Sequence, residues 1–188
     1  MAAVIAMLEE LGGLAPLTAE GAAARFAARG WTPGGRPRDG VETSWDADGT
    51  GAWIRTSGSG AVDVSFAVWI RDVDESGYFD DLDAVYEEGE RVLAGLLPEI
   101  ERSSFAGRLA EAGRATEGED EREGEGEGEG GDEFVVRKRW TLDGHVLTAG
   151  VVQHDTDLPV MVVVSLETMP ATATATVPAV APAPADGG

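Results

Sequence analysis

Apolar residues recur along this chain in two rhythms, and the changes of rhythm mark the elements. From Ala61 to Ile70, the residues Val62, Val64, Phe66, Val68 and Ile70 alternate with Ala61, Asp63, Ser65, Ala67 and Trp69. A period of two places the sets on opposite sides of a pleated strand. This segment therefore predicts a strand with Val62, Val64 and Phe66 facing the core and Trp69 on the other face. Leu82, Val85, Tyr86, Gly89, Val92, Leu93 and Leu96 then follow at spacings of three and four. That stripe predicts an amphipathic helix lying on a sheet, ended by Pro98, with a weaker helical continuation over Glu99 to Ala112.

Shorter signals complete the order. Ala2 to Leu11 predicts a helix closed by Gly12 and Gly13, and a second helix starts behind Thr18, whose hydroxyl can cap free amides, and stops at Gly30. Trp31 to Gly40, with Pro33, Gly34, Gly35 and Pro37, reads as loop. Val41 to Trp45 and Ala52 to Ser57 read as strands joined by the turn residues Asp46 to Gly51. Phe134 to Leu142 and His145 to Gln153 pair across Asp143-Gly144, a favoured two-residue hairpin turn, and Val160 to Glu167 is a last, fully apolar strand. The resulting order, α-β-β-β-α-β-β-β, predicts an α+β fold in which an antiparallel β-sheet carries its helices on one face.

Composition adds two segments that bury nothing. Residues 111–133 hold eleven acids against Arg114 and Arg122, a net of −9 with seven glycines, and predict a disordered acidic Glu/Gly loop. Residues 170–188 are rich in Pro, Ala and Thr with Asp186 as the only charge, and predict a disordered tail. Residues 1–169 then form a single domain interrupted by the acidic loop. Of the formal charge of −21, the share left to the folded body is −11. That sign argues against nucleic acid as a partner. No run approaches a membrane span, and Met1 to Leu14 lacks the positive start of a signal peptide, so the expectation is a cytoplasmic protein.

The candidate chemistry is sparse. With no cysteine, thiolate metal sites and cysteine nucleophiles are excluded, and there are only two histidines, His145 and His154. No serine sits in a Gly-x-Ser-x-Gly elbow, and His154 shares a turn with Asp155 and Asp157, where neighbouring side chains diverge. The expectation is a non-enzyme without cofactor. One stretch resembles a calcium loop: Asp72, Asp74, Ser76, Asp80 and Asp83 stand at positions one, three, five, nine and twelve, with Gly77 at six. Asp83 replaces the usual glutamate and a strand leads in, so the alternative is a strand-to-helix turn whose acids favour the helix N-terminus. Trp69, on its predicted face, is either covered by a helix or exposed as a partner-binding anchor. In the one basic cluster, Arg137 and Arg139 share a strand face while Lys138 opposes them, giving a second candidate for partner contact or a surface for the acidic loop.

Element order, the Val62 to Ile70 strand and the Leu82 to Leu96 helix together resemble small α+β proteins of actinobacteria, some of which are similar to toxin-immunity proteins. The same order, over Thr18 to Glu167, is similar to the type III secretion-chaperone-like fold. The resemblance implies an acidic protein-binding module, immunity- or chaperone-like, for a basic or secreted protein. It carries over no site residue. The alternative function is calcium binding through the 72–83 loop.

Overall fold

The computed structural model describes residues 1–73, 78–111, 134–155 and 158–169. Most of the expected acidic loop, from residue 112 on, and the expected tail from residue 170 lie outside these residues. Three helices, α1 (Ala2–Gly12), α2 (Ala19–Ala28) and α3 (Tyr78–Glu101), accompany β1 (Thr32–Pro33), β2 (Pro37–Arg38), β3 (Val41–Glu42), β4 (Ser44–Ala47), β5 (Thr50–Thr56), β6 (Val62–Arg71), β7 (Leu109–Glu111), β8 (Phe134–Leu142), β9 (His145–Val152) and β10 (Val160–Thr168). The class is α+β, as the patterning implies. The order differs from the simple α-β-β-β-α-β-β-β series: two helices come first, β1, β2 and β7 fall where loop or helix was expected, and the Val41 to Trp45 strand is divided into β3 and β4.

Eight strands form one antiparallel sheet in the order β1-β4-β5-β6-β10-β9-β8-β7, and β2 and β3 form a separate hairpin. Two meanders, β4 to β6 and β7 to β10, thus meet at the β6–β10 seam, with α3 carrying the chain across. Hairpin turns make the meanders. Asp143 and Gly144, with φ of 48° and 85°, sit in the left-handed region that the tight β8–β9 turn demands.

All three helices lie on one side. α2 packs against β5, and α3 against β9 and β10, over a core that includes Val64, Phe66, Leu147, Ala149, Val151, Val162 and Val164. Thr18 caps α2 as expected, its Oγ1 accepting from the Gly21 N–H at 3.0 Å. Phe26, Trp31, Trp45 and Phe66 form an aromatic cluster with ring centroids 5.0 to 5.8 Å apart. Pro98 does not end α3. Leu96 and Ile100 are fully buried on either side of it, and that burial holds the last turn on the sheet despite the missing amide.

One irregularity overturns a face assignment. On β6, Trp69 stands opposite Val162 and Ala67 opposite Val163, so Val68 is an extra residue with no partner. This bulge shifts the alternation by one. Trp69 therefore sides with Val64 and Phe66 rather than against them, and it packs partly buried against the core beneath α3. A Cβ on Gly89 of α3 would stand 3.4 Å from the Trp69 ring and 3.3 Å from Val151, so the helix backbone approaches the sheet closely here.

Charge is divided unevenly among the elements. α1, α2 and α3 together carry eleven acids and two arginines, a net of −9. All other described residues hold ten acids and ten bases and sum to zero. Among the described residues, no helix is long and apolar enough to cross a membrane.

Candidate functional site

The sheet side away from the helices carries Trp53 and Arg55 of β5, Asp63, Ser65 and Ala67 of β6, Met161 and Val163 of β10, and Arg137 and Arg139 of β8, as the register requires. At its β5 end the β2–β3 hairpin rises beside the sheet and encloses a pocket of about 520 Å³. Trp53, Met161, Val163, Ile54 and Ser65 contribute the sheet wall, and Arg36, Arg38, Arg55 and His154 contribute the charged and polar wall.

The local sequence explains how this rim is braced. Asp39 and Gly40, with φ of 52° and 83°, close the hairpin tightly and set Pro37 opposite Glu42 and Arg38 opposite Val41. The Glu42 carboxylate accepts the Arg36 N–H at 2.9 Å and the Ser44 N–H at 3.0 Å, bracing the hairpin base. Those donors, the Arg36 amide first, hold the Glu42 carboxyl below its ordinary range. Thr43 donates its hydroxyl to the Arg36 carbonyl at 2.6 Å, and the Ile54 N–H donates to the Thr43 carbonyl at 2.9 Å, tying the hairpin to β5. At Gly34, whose N–H donates to the Ser44 carbonyl at 2.7 Å, a Cβ would fall 2.5 Å from Ser44 Oγ, so only glycine fits.

On the sheet, the Trp53 ring lies across Gly51, 3.0 Å from where a Cβ would be. Arg55 is engaged: its Nε donates to Asp63 Oδ2 at 3.0 Å, and Ser65 Oγ donates to the same oxygen at 3.0 Å. Arg36 and Arg38 are exposed and make no ion pair with a described residue. They flank Pro37 in an extended segment, two residues apart, and both line this pocket, Arg38 also lining the neighbouring one beside Asp39.

The candidates read from sequence lie elsewhere. Trp69 is on the helix side. Arg137 and Arg139 are exposed on the open sheet face and Lys138 opposes them, its Nζ 2.5 Å from Glu101 of α3, as strand parity implies. Arg137 also stands over the Phe134 ring, 5.9 Å from its centroid. Of the calcium-loop residues, Asp72 follows β6 and Asp83 is exposed on α3, while Asp74 and Ser76 lie outside the described residues. Nothing is described of the Asp80 side chain. Among the described residues, no group of three or more His, Asp or Glu is gathered to hold a metal.

The histidines are separated as well. His145 is buried at the start of β9 with Nδ1 3.2 Å from the Leu142 carbonyl, and His154 is exposed at the pocket rim. Sequence reasoning missed Arg36, Arg38 and Trp53. The signal present was two arginines at i and i+2 in a Pro/Gly stretch, and it reads as loop. Comparison with family models, with curated proteins and with solved structures gives no match for this chain.

Proposed function

We propose that this is a non-enzymatic, acidic protein-binding module, immunity- or chaperone-like, whose helical side receives a cationic protein. The observation that supports it is the charge division: the whole net charge of the described residues sits on the three helices. Asp83, Glu87 and Glu90 are exposed at helical spacing on α3. Acids therefore predominate on the helical layer even though Arg29, Arg71 and Lys138 pair with Glu10, Glu88 and Glu101 there, an arrangement that steers a complementary partner and discourages like-charged ones.

Co-purification of the full chain from its native host tests this. A basic protein captured at low salt and released by salt is the expected result. No partner at low salt, or a partner of net negative charge, overturns it.

A further inference from the structure

On the side of the sheet opposite the helices, we infer that the pocket under the β2–β3 hairpin binds a small oxyanion, a phosphate or carboxylate, attached to a planar apolar body. The inference goes beyond the partner-binding reading and does not depend on it.

The carrying observation is the composition of the wall. The sequence has 35 acids, yet none of the described residues lining this pocket is acidic, while three are arginines and one is histidine. The next pockets differ: one is lined by Glu20 and Asp39, another by Glu9 and Glu10. Asp63 offsets Arg55 from just behind the wall, which leaves Arg36 and Arg38 as the two lining arginines without an ion pair to a described residue. A guanidinium is a planar fork that matches carboxylate and phosphate oxygens in pairs, and two of them on one side of an extended segment suit a group with several anionic oxygens.

The remainder of the pocket asks for a body on that anion. Met161 and Val163 offer an apolar floor, and the Trp53 indole offers a flat wall of the kind on which planar rings stack. About 520 Å³ is within the range that holds a mononucleotide-sized molecule and exceeds what a bare anion fills. The hairpin is braced at Glu42, Thr43 and Gly34, so the backbone that carries the two arginines is already in place before binding.

Calorimetric titration of the full chain with four probes tests the inference. These are adenosine 5′-monophosphate, indole-3-acetate, adenosine and inorganic phosphate. One or both ring-bearing anions should bind at one site, more weakly as salt is raised, with adenosine and phosphate at least about tenfold weaker. The tighter of the two anions identifies the source as phosphate or carboxylate. Arg38→Gln should weaken that binding about tenfold or more, and Arg36→Gln/Arg38→Gln further, since each removes a charged hydrogen-bond donor. Both positions are exposed, and unchanged circular dichroism shows that the variants fold. If neither ring-bearing anion binds, if adenosine binds as tightly, or if the double variant binds unchanged, the inference is wrong. Such a failure leaves the helical-side reading intact, because that reading is tested at Glu87 and Glu90 across the sheet.

Discussion

Trp69 stands directly opposite Val162 across the β6–β10 ladder, on the side that α3 covers. The unpaired Val68 puts it there. The Gly89 backbone of α3 then passes close enough that a Cβ would touch both the Trp69 ring and Val151. The seam between the two meanders, the bulge and the helix crossing are thus fixed at one place.

Gly89→Leu should destabilise the protein by about 1–3 kcal/mol, because a side chain there must push α3 off the sheet. Chemical denaturation measures it. A variant as stable as the parent would show that the helix does not pack this closely.

Phe66→Ala should cost more, about 3–5 kcal/mol, since Phe66 is fully buried among Phe26 and Trp31 with centroids 5.8 Å away. Loss of cooperative unfolding or a large fall in the denaturation midpoint is the expected result.

Glu42 gives the hairpin a pH dependence with a definite sign. Its carboxyl is held below the ordinary range in the folded state, so the bracing is present above the ordinary carboxyl pKa of about 4.3 and is lost as pH falls through the lower folded value. Amide exchange at Arg36 and Ser44 should accelerate over that interval. Glu42→Gln should remove the dependence, and an unchanged pH profile in the variant would contradict the bracing role.

How much of this was legible in the sequence depends on range. β6, α3 and the β8–β9 hairpin carry strong local patterns, namely alternation, a three-four stripe and Asp143-Gly144, and each formed where expected. The bulge was not legible, because Val68 is as good a strand residue as its neighbours and only the pairing with β10 reveals it. Pro98 misled for a similar reason: the burial of Leu96 and Ile100 outweighs a local stop signal. β1 and β2 contain Pro33 and Pro37 and are two residues each, too short for any period. The pocket was out of reach altogether. It joins Arg36 and Arg38 to Trp53, Met161 and Val163 through the β5-β6-β10 order, a long-range pairing with no local signature. The charge division needed the layers as well, since the count of −21 does not say which side holds it.

The division of charge between the layers is tested most directly by reversing charge on each side separately and measuring capture of the co-purified partner at fixed salt. Glu87→Lys/Glu90→Lys, on the exposed side of α3, should reduce capture tenfold or more, while Arg137→Glu/Arg139→Glu, on the open sheet face, should leave it unchanged or raise it. Capture that survives the helix variant and fails in the sheet variant would contradict it.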